Sequence, residues 1–135
     1  MLLAAPALLG ASPPATLEIA IEGVRSARGL LQLCLTAAPR HFPACGDDPA
    51  ARKRSVPASE RRLSFDDLPP GTYALAIIHD ENANSKLDTF AGIPKEGFGF
   101  SRNPVVRFGP PSFAQVRFPV GTAGARQTVR MKYFL

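Results

Sequence analysis

Oxygen-bearing side chains recur at alternate positions 80, 82, 84 and 88 of the run His79-Asp80-Glu81-Asn82-Ala83-Asn84-Ser85-Lys86-Leu87-Asp88, with Lys86 at the remaining one. Alternation of this kind turns Asp80, Asn82 and Asn84 toward one point, adds the Lys86 carbonyl, and brings Asp88 in directly or through water. Five oxygens gathered by one short loop are the donor set of a hard cation, and calcium is the ion that such a set suits. Two positions weaken the set. Ser85 stands where the turn glycine of a calcium loop is usual, and Ala91 stands where a bidentate Glu would close the coordination, so a further ligand must come from Glu96, another oxygen or water. Only Asp80 and Asp88 bring negative charge to the alternating positions, which sets the expected dissociation constant at ~0.1 to 1 mM. A metal-free reading uses the same residues as an Asx-rich turn whose side chains cap backbone N–H groups.

The remaining chemistry is sparse. His79 could serve as an acid-base group or metal ligand beside Asp80, with His41 as a distant helper. Alternation opposes this, because His79 shares its strand face with Ile77 and points away from Asp80. A hydrogen-bonded histidine at the rim of a sheet is the expected state. No nucleophile elbow and no histidine pair at metalloprotease spacing occurs. Cys34 and Cys45 bracket a loop containing Pro39, His41 and Pro43, which suits a local disulfide contributing about 2 to 3 kcal/mol. A zinc set of Cys34, His41, Cys45 and His79 is the competing reading, without standard paired spacing. Phe98 and Phe100 in the glycine-punctuated loop 92–101 share one side of an extended backbone. They form either a ligand wall or, as expected here, a seal over the core.

These residues must be held by strands. Leu17, Ile19 and Ile21 alternate with Glu18, Ala20 and Glu22, the period of a half-buried strand, and Leu30 to Leu35 is a second run close enough to pair with it as a hairpin. Residues 36–61 read as a long loop. Leu63 to Phe65 resumes order, and Asp66 to Thr72 makes a turn. Tyr73 to His79 then forms the most apolar strand, with Tyr73, Leu75, Ile77 and His79 on one face and Ala74, Ala76 and Ile78 on the other. Both faces are apolar, which places it centrally in a sheet. Phe98-Gly99-Phe100 reads as a short strand or an extended edge, and Gln115 to Val120, with Pro119 marking an edge, and Thr128 to Phe134 complete the set.

The expected fold is therefore all-β, a two-sheet antiparallel sandwich of about seven short strands, transthyretin-like or immunoglobulin-like. The 14 prolines and 11 glycines in 135 residues agree with many turns. One domain, residues 16–135, follows an apolar start, residues 1–15. That start reads as a truncated signal peptide or a disordered tail, with cleavage after Ala11 or Ala15. Export places the protein in the periplasm or outside the cell, where a disulfide persists. No run approaches a membrane span. The net charge of +5 is densest at Arg52-Lys53-Arg54 and Arg61-Arg62. That stretch has no interleaved aromatics for base stacking, so nucleic acid is not expected and a solvated loop is.

The segment Phe65 to Leu75 resembles the strand-turn-strand signature of transthyretin-like and carboxypeptidase-regulatory-like sandwiches, in which a Leu-Pro-x-Gly-x-Tyr run recurs. Three motifs together, Leu68-Pro69-Pro70-Gly71-Thr72-Tyr73-Ala74, the run 79–88, and Gly92 to Ser101, resemble the exported bacterial family called domain of unknown function 2141. This resemblance implies a small exported β-sandwich and carries no activity over to these residues. The acidic run also resembles the calcium loops of exported sandwich and dockerin-type modules. The functional expectation is a monomeric, non-enzymatic envelope module that binds an unidentified envelope protein or glycan, with calcium as its only candidate cofactor. The alternatives are a metal-dependent or transthyretin-like hydrolase using His79 and Asp80, and a carbohydrate-binding module presenting Phe98, Phe100 and Phe108. The ending Met131 to Leu135 lacks the Tyr-Arg-Gly-Ser of transthyretin-like hydrolases.

Overall fold

The computed structural model describes residues 14–45, 48–84, 89–90, 93–107 and 109–135. Strands β1 (Ala15–Glu22) to β10 (Ala125–Arg130) build a two-sheet sandwich. One sheet has three strands in the order β10-β1-β4, where β4 is Arg62–Leu68. The other has the order β3 (Arg52–Pro57), β2 (Leu30–Thr36), β5 (Gly71–Asp80) and β8 (Gly97–Phe100). A short strand β9 (Phe118–Val120) pairs with the start of β5. A small pair, β6 (Thr89–Phe90) and β7 (Ile93–Pro94), lies between β5 and β8 in the chain.

Alternation explains both sheets. Leu17, Ile19 and Ile21 from β1, Leu31, Leu33 and Leu35 from β2, Phe65 from β4, and Leu75 and Ile77 from β5 enter one buried cluster between the layers. The outward face of the three-stranded sheet is polar. There Arg126 donates to Glu18 at 2.8 Å and Arg130 to Glu22 at 3.1 Å, each across a directly paired position. The β1–β10 pairing is parallel, a departure from the antiparallel pattern of the other ladders. The opposite face of β5 is apolar as expected. Ala74 and Ala76 join Phe98, Phe100 and Val116 in a second cluster, with Phe42, Val106 and Phe113 laid over it. The small alanine side chains let this overlying layer approach.

Several local expectations change. β1 and β2 do not form a hairpin, because each buries one face against the opposite layer, and the connection 23–29 crosses between the sheets. The region 36–61 is not all loop: Arg52 to Pro57 pairs in full register with Leu30 to Leu35 and forms an edge strand. Its exposed Arg52, Lys53, Arg54 and Ser55 hide the strand signal, since only Val56 is buried. Gln115 belongs to a single helical turn (Phe113–Val116) stopped before β9, while Pro119 does occupy an exposed position. The last strand runs Ala125–Arg130 rather than from Thr128 to Phe134. Met131 still packs inward, and Lys132 crosses to bridge Phe98 in the other sheet. Among the described residues no helix is long and apolar enough to cross a membrane.

Candidate functional site

The site sits at the end of β5 where the run 79–88 leaves the sheet. His79 is fully buried, and both ring nitrogens are engaged. Its Nε2 lies 2.8 Å from the Arg28 carbonyl, which can only accept, so Nε2 carries the proton. In the neutral imidazole Nδ1 is then the acceptor, and the Tyr133 hydroxyl donates to it at 2.7 Å. Tyr133 Oη in turn accepts the Arg25 backbone N–H at 3.2 Å. His79 thereby ties the connection 23–29 and the C-terminal segment to the central strand.

A second layer fixes the same connection from outside. The Arg25 guanidinium forms an ion pair with Glu81 and stacks 4.4 Å from the centre of the Tyr133 ring. Ser26 donates its hydroxyl to the other Glu81 oxygen at 2.9 Å. The hydrogen bond from Arg25 holds the Glu81 carboxyl below the usual carboxylate range and raises Arg25, while burial pushes the Tyr133 phenol up. Gly97, opposite His79 in β8, makes room for this arrangement: a Cβ there would lie 2.2 Å from the Tyr133 ring. Arg25, Ser26 and Tyr133 were not visible as site residues in the sequence, because they come from opposite ends of the chain and share no motif. Removing the Tyr133 hydroxyl should leave His79 Nδ1 buried without its donor. Tyr133→Phe is expected to lower unfolding free energy by about 1 to 3 kcal/mol in urea melts.

The loop proper begins at Asp80, whose side chain is 1% exposed. Its Oδ1 accepts the Asn84 backbone N–H at 3.1 Å, Asn82 Oδ1 approaches the same N–H at 3.3 Å, and the Ala83 N–H donates to the Asp80 carbonyl. Ala83 takes a positive φ of 53° to complete this turn. Asp80, Asn82 and Asn84 are thus brought together on one tight turn. Lys86 and Asp88 lie outside the described residues. Glu96 immediately precedes Gly97, the residue paired with His79, and is likewise buried. The carboxylates of Asp80 and Glu96 and the amide oxygens of Asn82 and Asn84 are the donors that could hold a cation. Among the described residues no three His, Cys, Asp or Glu side chains meet at metal-binding distance.

The other expected residues are also placed. Cys34 and Cys45 form a disulfide with Cα atoms 6.2 Å apart, which removes both thiolates from a zinc set. His41 closes the short turn Pro39–His41. Phe98 and Phe100 are buried, their rings 5.9 Å apart. Phe42 stands edge-on to Phe100 at 5.9 Å, and Phe134 stands edge-on to Phe98 at 5.1 Å. They seal the second cluster rather than present an open wall. Phe108 lies outside the described residues. Asp48 was missed by sequence reasoning. It accepts from the buried Thr36 hydroxyl and from the Ala50 N–H, so it anchors the loop that carries Phe42.

A family described as "Uncharacterized protein conserved in bacteria (DUF2141)" matches residues 19–128. The chain belongs to this family. The matched span of the DUF2141 chain runs from β1 into β10 and includes His79, the turn 80–84 and both cysteines, and ends before Tyr133. No curated protein and no solved structure matches the chain.

Proposed function

We propose that this DUF2141 domain is an exported, non-enzymatic module of the cell envelope, periplasmic or secreted, that acts by binding or assembly. The state of His79 carries this reading. A general base needs a nitrogen free to take a proton from substrate, and a metal ligand needs an exposed lone pair. His79 has its one lone pair on Tyr133, its N–H on a backbone carbonyl, and no solvent contact. The hydrolase alternative loses its principal residue. The disulfide supports an oxidising compartment.

We further propose that loop 80–88 takes calcium weakly, with Asp80, Asn82 and Asn84 as ligands, joined by the Lys86 carbonyl, Asp88 and Glu96. The shared turn of Asp80, Asn82 and Asn84 and the burial of both Asp80 and Glu96 support it. Thermal unfolding at fixed ionic strength, with calcium, magnesium or chelator, tests the assignment. For a dissociation constant of ~0.1 to 1 mM, ~10 mM calcium should stabilise the fold by about 1.5 to 3 kcal/mol, and magnesium by less. Asp80→Asn, which keeps an oxygen for the Asn84 N–H, should abolish the increment and leave the fold intact. An increment that survives this change, or equal effects of both ions, would reject the site.

A further inference from the structure

The two main sheets end in β10 and β4 and in β3 and β8, and among the described residues three of these four edge strands are covered, each by a different device. Along β4, Arg54 donates to the Ser64 carbonyl at 2.8 Å, and Arg52 donates to the carbonyls of Asp66 and Asp67 at 3.2 and 3.0 Å. Along β10, Asn103 imitates a strand: its Nδ2 donates to the Thr128 carbonyl and its Oδ1 accepts the Arg130 N–H, both at 2.8 Å. Beside β8, Phe98 and Lys132 exchange backbone hydrogen bonds at 3.0 and 2.8 Å. β3 is the exception. It ends the five-stranded sheet, and among the described residues nothing pairs with its outer side.

The inner side of that edge strand is paired by β2 at every residue from Arg52 to Pro57. Alternate N–H and C=O groups of β3 therefore point outward along its length. The side chains flanking them are Arg52, Lys53 and Arg54, all exposed. The two guanidiniums rest on neutral carbonyls, and no ion pair among the described residues neutralises any of the three. A second copy of β3 laid antiparallel on this edge would set cation against cation. The same charges favour a strand with carboxylates at the facing positions.

We infer that β3 is a docking edge for an extended acidic segment of a partner protein, which adds a strand to the five-stranded sheet. The inference rests on the proposal that the module works by binding, and it gives that partner a chemistry. It is independent of the ion, because β3 lies at the opposite edge of the sheet from β8.

The test is an amide NMR titration of the oxidised protein in chelator, so that the outcome at the calcium loop reads separately. The probes are a short synthetic peptide alternating Glu with Thr and its counterpart carrying Lys for Glu. The Glu peptide should bind saturably, with shifts and slowed exchange at alternate amides between Arg52 and Val56, while the Lys peptide should not. Lys53→Glu, a change at an exposed side chain, should weaken the Glu peptide by about fivefold or more. Equal binding of the two peptides, shifts that fall outside β3, no saturation up to ~1 mM, or a dimer formed through β3 would each overturn the inference.

Discussion

Gly29→Ala should be among the most damaging single substitutions in this chain, lowering unfolding free energy by about 3 to 5 kcal/mol. Gly29 has a φ of +71°, and a Cβ there would sit 2.1 Å from the Asp80 carbonyl oxygen and 2.6 Å from the Glu81 carbonyl. Those neighbours are backbone atoms at the end of the central strand, so relief requires β5 or the connection 23–29 to move. Either movement disturbs the Arg28 carbonyl that His79 holds and the turn that starts at Asp80. Gly109 supplies the control. It also has a positive φ, +103°, but a Cβ there meets nothing within 4 Å. Gly109→Ala should cost only the conformational strain, about 1 to 2 kcal/mol. Denaturant unfolding of the two variants should separate them clearly, and equal losses would show that the close approach of Gly29 to β5 is wrong.

Removing the disulfide should have the second large effect. The sequence separation of 11 between Cys34 and Cys45 gives a chain-entropy contribution of about 3 kcal/mol, equivalent to roughly 10 °C in Tm for a domain of this size. The Cys34→Ser, Cys45→Ser protein should still fold, because Asp48 retains its bonds to Thr36 and Ala50. Its damage should be local. Phe42 covers Phe100 and Phe113 from within the crosslinked loop, so amides of residues 37–45 should exchange faster than those of β5. A variant with unchanged Tm and unchanged exchange would contradict the role assigned to the bond.

The central strand was the most legible element, for a physical reason. A period-two pattern with large apolar residues on one face and alanines on the other has only one economical placement, between a core and a close-packed cover. Its neighbours were less legible where pairing rather than burial makes the strand. β3 forms because β2 offers a ladder, and its Arg-Lys-Arg sequence reads as solvated whether or not it is paired. The supposed β1–β2 hairpin failed because proximity in sequence says nothing about which layer a buried face must join. At the site, alternation correctly turned His79 away from Asp80 and toward Ile77. Its partner Tyr133 is 54 residues away, and the glycine that accommodates that ring, Gly97, looks in the sequence like any other loop glycine.

The role of His79 as a structural tie is tested most directly by the tautomer of its imidazole. Long-range proton–nitrogen correlation spectra of the folded protein at neutral pH should show a single His79 species protonated on Nε2, with Nδ1 unprotonated and accepting from Tyr133. In Tyr133→Phe the Nδ1 resonance alone should move strongly. A proton found on Nδ1, or a ring exchanging freely between tautomers, would mean that the imidazole is available for chemistry and would contradict the non-enzymatic reading.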